Sequence, residues 1–104
     1  MHEWVEVATV AEFEHMDRKG VQLNGRLVAL FRVGTEYFAV DATCSHEQAS
    51  LLIGDVDVDG HEIMCPLHGA RFDLRTGKNL SLPAVRPIAS YPVKVADGKI
   101  YVGS

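Results

Sequence analysis

Along most of this chain apolar and polar positions alternate in short runs, and stretches with the spacing of a buried helix face are scarce. "EWVEVA" (residues 3–8) predicts a first strand. In "TVAEF" Thr9 and Glu12 stand three apart, the spacing of a capping box, which predicts one helical turn. "VQLNGRLVALFRV" (21–33) predicts a hairpin, because Asn24-Gly25 tolerates the positive φ angles of a tight two-residue turn. "GTEYFAV" (34–40) predicts the returning strand, and "YPVKVADGKIYVG" (91–103) a closing hairpin about Asp97-Gly98. Between them, "DVDVDGHEIMC" (55–65) predicts a hairpin turning at Asp59-Gly60 and running directly into Cys65.

Several strands at close spacing, punctuated by Gly and Pro, predict an all-β fold, an antiparallel β-sandwich or barrel. The chain's 104 residues suffice for one such domain and not for two ordinary cores. The least regular segments, around Cys44, around Cys65 and in "SLPAVRP" (81–87), are expected as loops carried by that scaffold.

Charge narrows the classes of function. Fourteen acidic against ten basic residues give a formal charge of −4, which speaks against a nucleic-acid surface. No apolar run reaches the roughly 20 residues of a membrane helix, and the N-terminus lacks a secretory pattern. A cytoplasmic protein without membrane or nucleic-acid partners is therefore expected, and the chain's two cysteines read as a metal or redox pair before a disulfide.

Those cysteines carry the chemistry. "CSHEQ" (44–48) and "CPLHG" (65–69) form C-x-H, an eighteen-residue gap, then C-x-x-H. Cys44, His46, Cys65 and His68 are thiolate and imidazole donors, the types shared by zinc and iron–sulfur centres. The hairpin between the motifs folds the gap back on itself, so both loops can meet. One Cys or one His alone is more simply a small core residue or a surface residue. The pairing of each with the other makes convergence on a metal the stronger reading.

With "HGARFDLRTGK" and "SLPAVRP" following, the two motifs resemble those of Rieske iron–sulfur proteins of the small ferredoxin type, over essentially the whole chain. The resemblance implies a single Rieske domain over 1–104, with a small cluster-binding subdomain at about residues 42–84, formed by two loops and inserted in a β base. It implies one [2Fe–2S] cluster, with Cys44 and Cys65 on the inner iron and His46 and His68 on the outer. Family histidines bind through Nδ1 and leave Nε2–H toward a partner. Two ferric ions, two sulfides and two thiolates balance in charge when the imidazoles are neutral, so such a centre accepts an electron more readily than an all-thiolate one. Reduction makes the imidazoles more basic, coupling electron to proton uptake at His46 and His68.

Departures from the quinol-oxidising branch narrow the expectation. That branch carries an extra cysteine in each loop, joined as a disulfide; Ala49 and Leu67 stand there in this chain. It also carries a serine and a tyrosine that donate to the cluster sulfurs, where this chain has Ala70 and Phe72. Donors to sulfur stabilise the reduced state, so a potential low in the Rieske range, near about −150 mV, is expected. A low-potential carrier implies a flavoprotein NAD(P)H reductase as donor and a terminal ring-hydroxylating oxygenase as acceptor. The chain is then not an enzyme but an electron-transfer component, and a monomer. Two alternatives stay open at this stage: the small subunit of an assimilatory nitrite reductase, and a structural Cys2His2 zinc module.

Other residues carry weaker expectations. His2, His15 and His61 read as ordinary surface histidines, Trp4 as a core or edge anchor, and Met64 as packing. Leu67 and Pro83 are candidates for an apolar rim, and Glu47 and Asp55 for steering a basic partner.

Overall fold

The computed structural model describes residues 3–44, 50–66, 69–82 and 86–103, and every paired strand among them is antiparallel. Three sheets form. Strands β1 (Trp4–Thr9), β9 (Val93–Ala96) and β10 (Lys99–Gly103) pair in the order β1-β10-β9. Strands β2 (Arg18–Leu23), β3 (Arg26–Val33), β4 (Glu36–Asp41) and β8 (Ser90–Tyr91) pair in the order β2-β3-β4-β8. Strands β5 (Asp55–Asp57), β6 (Glu62–Met64) and β7 (Arg71–Asp73) make a small third sheet.

The four-stranded sheet lies between two apolar cores, which explains why β3 reads as a nearly unbroken apolar run. Its side chains alternate across the sheet. Val28 and Leu30 join Ala8, Phe13, Ile100 and Val102 on one side. Ala29, Phe31 and Val33 join Cys44, Leu51, Ile63, Cys65 and Phe72 on the other. The second core therefore grows from the same strand that anchors the first.

Local signals behave as the pattern predicts at most turns. Asn24 and Gly25 both take positive φ (51° and 81°), as do Asp97 and Gly98 (53° and 74°), which matches the twist of their flanking strands. Thr9 caps a 3-10 turn over Val10–Glu14: its backbone N–H donates to Glu12 Oε2 at 2.6 Å and its hydroxyl accepts from the Glu12 N–H.

Three details differ from the sequence reading. The first hairpin begins earlier than "VQL", since Arg18, Lys19 and Gly20 already pair with Phe31, Leu30 and Ala29. "YPVKV" is not one strand: Tyr91 pairs with Ala39, whereas Val93 pairs with Val102 in the other sheet. Pro92 sits at the crossing, where a residue without an N–H costs no ladder bond, and its carbonyl accepts from Gly103. In the β5–β6 hairpin the left-handed residue is His61 (φ 55°), not Asp59-Gly60. Asp57 pairs with Glu62, so the loop has four residues and closes through its last one.

His61 is consequently no ordinary surface histidine. Its side chain is about a quarter exposed, its ring meets Phe38 edge-on at 5.6 Å, and its Nε2 lies 3.8 Å from Glu36 Oε1. Its carbonyl accepts from the Leu74 N–H at 2.8 Å. His15 is exposed as expected, and His2 lies outside the described residues. Trp4 stands on the edge strand β1, partly exposed, with Lys94 Nζ 4.8 Å from its ring centre. No helix among the described residues is long and apolar enough to cross a membrane.

Candidate metal centre

Strand β4 ends at Asp41 and delivers the chain to Cys44 through two tethered residues. Leu51 N–H donates to the Ala42 carbonyl at 2.7 Å, and Thr43 bridges Ser50. These bonds close the neck of the first loop. Ser50 then caps a 3-10 turn, Leu51–Ile53, by accepting from the Leu52 N–H. Cys44 itself is 5% exposed.

Strand β6 delivers Cys65, which is 2% exposed. Its N–H donates to the Ala70 carbonyl at 2.7 Å, and its carbonyl accepts from Gly69 at 3.1 Å. This tight return needs φ of +72° at Gly69, a conformation that side chains with a Cβ rarely adopt. The glycine after the second motif is thus part of the loop's construction.

A third segment closes beside them. Leu80 N–H donates to the Arg71 carbonyl at 2.7 Å, the Arg71 N–H to Ser81 Oγ at 3.0 Å, and Ile88 N–H to the Gly77 carbonyl at 2.9 Å. At Gly77 (φ +80°) an added Cβ would lie 2.0 Å from the Ile88 carbonyl oxygen, so only glycine permits this approach. On the far side, Asp41 holds the segment's exit: its carboxylate accepts from Tyr91 Oη at 2.6 Å and from Ala89 N–H at 3.1 Å. Burial first, and then this bond to Asp41, raise the Tyr91 pKa above its ordinary value, keeping the phenol a donor.

Both thiols lie in one core with Leu51, Ile63, Ala70, Phe72, Leu74 and Ile88, and neither is in a disulfide. Among the described residues no polar or charged residue is buried, and the remaining buried side chains are hydrocarbon. Cys44 and Cys65 are therefore the only heteroatom-bearing side chains of the described core. Two soft donors in a dry apolar shell, each at the neck of a loop built by backbone bonds, suit a thiolate-held metal group.

The structure thus brings the two predicted cysteines into one core. His46 and His68 lie outside the described residues, as do Glu47, Ala49, Leu67 and Pro83. Ala70 and Phe72 are buried at 1% and 0% exposure and present no hydroxyl to the thiols. Asp55 is exposed on β5, and Met64 is half-buried beside Cys65. Sequence reasoning missed Arg18, Asp41 and Tyr91, whose partners stand 34 to 50 positions away and leave no local pattern.

Two buried thiols in one core of a β scaffold are donors suited to a thiolate-held metal group. The comparisons make that specific: residues 3–92 match the family model described as the Rieske [2Fe-2S] domain, and this chain belongs to that family. It is 38% identical over 97 residues to the ferredoxin component of naphthalene 1,2-dioxygenase/salicylate 5-hydroxylase systems from a Ralstonia species, covering 93% of this chain and 91% of that one. It is 52% identical over 75 residues to the 3-phenylpropionate/cinnamic acid dioxygenase ferredoxin subunit of Photorhabdus laumondii, covering 72% and 70%.

Among solved structures, the ferredoxin of carbazole 1,9a-dioxygenase from Nocardioides aromaticivorans superposes with a TM-score of 0.89 at 36% identity, covering 95% of each chain. A ferredoxin solved in complex with the oxygenase of carbazole 1,9a-dioxygenase gives 0.85 at 34% identity, covering 95% of this chain and 91% of that one. A chain named as an NADH-dependent nitrite reductase small subunit from Mycobacterium tuberculosis gives 0.87 at 26% identity, covering 100% and 96%. Family membership carries with it one Rieske-type [2Fe–2S] cluster and sets aside the zinc module.

Proposed function

We propose that this chain is the ferredoxin component of a ring-hydroxylating oxygenase system, a one-electron carrier and not itself a catalyst. In this reading Cys44 and Cys65 ligate one iron of the cluster, and His46 and His68 the other. When bound, the cluster supplies reversible uptake of a single electron. The observation that carries the reading is the pair of buried thiols, the only heteroatoms among the buried side chains of the described residues. Relatives 38% and 52% identical, both named as ferredoxins of dioxygenase systems, support it.

The rest of the chain would serve that cluster by shielding it. Leu51, Ile63, Phe72 and Leu74 keep water from the thiolates, and Ala70 and Phe72 withhold the hydroxyl donors that would favour reduction. Residues 42–84 then act as a cluster-binding subdomain on the β base, within a single domain spanning 1–104. A flavoprotein reductase gives the electron and a terminal oxygenase takes it. The oxygenase is the better supported partner, because a similar ferredoxin has been solved with one. A cytoplasmic monomer fits a carrier that must leave one protein to meet the next.

Reductive titration tests the reading. The protein should take up one electron per pair of irons with a midpoint near about −150 mV. A midpoint well above zero would remove it from the ferredoxin branch. The nitrite reductase alternative keeps the cluster and changes the partner, and the Mycobacterium neighbour is the observation in its favour; its 26% identity is the weaker support. A ring-hydroxylating oxygenase encoded beside this gene decides for the first reading, and a siroheme reductase for the second.

A further inference from the structure

Arg18 belongs to the base of the molecule, yet its guanidinium ends in the loop region. From β2 its Nη1 donates to the carbonyl of Leu52 at 3.0 Å and also to that of Gly54. Its other edge is held by Asp17: Nε meets Oδ1 at 3.0 Å and Nη2 meets Oδ2 at 3.1 Å. The group lies 5.3 Å from the centre of the Phe31 ring, and the side chain is about a quarter exposed.

The segment it grips, 52–54, touches the roots of both cysteine loops. On one side it continues the 3-10 turn whose first residue, Leu51, bonds Ala42, and whose cap, Ser50, bridges Thr43 beside Cys44. On the other side it lies against β6. A Cβ on Gly54 would fall 2.2 Å from the carbonyl oxygen of Met64, the residue that leads into Cys65. One guanidinium is therefore bonded to a strip of chain wedged between the necks of two loops that are 21 positions apart in sequence.

We infer that Arg18 is a positioning residue for the cluster: it fixes the two cysteine-bearing loops relative to each other, and with Asp17 it sets the local charge against which the cluster is reduced. This rests on the ligand set proposed above. Arg18 is suited to the task because its planar fork serves two carbonyls and both oxygens of a carboxylate at once, one bond more than the three donors of an ammonium can make. The electrostatic part has a definite sign. Reduction adds a negative charge, so loss of the cation disfavours the reduced state, and loss of the neighbouring carboxylate favours it.

Four holoproteins, the wild type, Arg18→Met, Arg18→Lys and Asp17→Asn, are compared at low ionic strength, where surface charge is least screened. Midpoint potentials and hydrogen exchange over residues 50–54 are measured on each. R18M should shift the midpoint downward and raise the opening of that segment by at least about tenfold, the factor a charge-assisted hydrogen bond is worth. R18K should restore most of the potential but not the protection, and D17N should move the midpoint upward. An anchor with only a structural role would not give opposite signs for the two charge changes. Should R18M fail to load, D17N and R18K decide alone. A midpoint unchanged or lowered in D17N, or full protection in R18K, overturns the inference. Absence of iron from the wild type overturns the ligand set instead, and is seen before any variant is made.

Discussion

The two faces of strand β3 are buried to the same degree but are held in place by different means. Toward Val28 and Leu30 the core is roofed by the β1-β10-β9 sheet, whose β9–β10 hairpin turns on two residues of positive φ. Toward Ala29, Phe31 and Val33 the roof is short strands and closed loops. Single ties between separate segments hold that second side: Gly77 to Ile88, Asp41 to Ala89, Arg18 to Leu52 and Gly54. A regular sheet stabilises itself residue by residue. A set of loops around two thiols depends on a few contacts and on whatever the thiols bind.

That contrast sets the sizes of the effects expected on breaking it. Replacing Cys44 by Ser should abolish the cluster outright, with loss of visible absorbance and of bound iron. The far-UV signal of the regular sheets should persist, because the first core contains neither thiol. Truncating the two sides of β3 is the next largest test. Leu30→Ala should cost about 2–5 kcal/mol and Phe31→Ala about 3–5 kcal/mol in denaturant unfolding. Only Phe31→Ala should also accelerate release of iron to a chelator, since Phe31 shares a core with both cysteines.

Glycine substitutions sharpen the comparison further. Gly77→Ala combines a strained φ with a carbonyl 2.0 Å from the new methyl, and should cost about 2 kcal/mol or more. Gly25→Ala has a similar φ with nothing within 4 Å, and should cost about 1 kcal/mol, read as a smaller shift in thermal midpoint.

The smallest effect is in the pH dependence of Asp17. Its bond to the Arg18 guanidinium holds the carboxyl below the usual carboxylate range. A depressed folded pKa contributes stability that is present above the unfolded value, near about pH 4, and is lost as pH falls through the folded value. Asp17 is about half exposed, so the contribution is small. Asp17→Asn should lower stability slightly at neutral pH and leave it unchanged at the acid end, so that the acid limb of the profile in denaturant unfolding flattens.

The same division explains what could be read from the sequence. The hairpins at Asn24-Gly25 and Asp97-Gly98 and the capping box at Thr9 are local codes, and the structure follows them. Cys44 and Cys65 were legible because thiols are scarce here and each stands beside a histidine. The turn at His61 was not, because Asp59-Gly60 offers a two-residue turn that the pairing of Asp57 with Glu62 overrides. Nor was the split at Pro92, where one apolar run serves two sheets. Arg18 and Asp41 look like surface charges in sequence. Their roles come from carbonyls and a phenol that only the folded chain brings near.

The most direct test is the low-temperature paramagnetic resonance spectrum of the anaerobically purified, dithionite-reduced protein, taken with iron and acid-labile sulfide analysis. The account predicts a red-brown protein with two irons and two sulfides per chain, and a rhombic signal from one unpaired electron when reduced. A colourless protein holding zinc, or one without sulfide and silent after reduction, would contradict it.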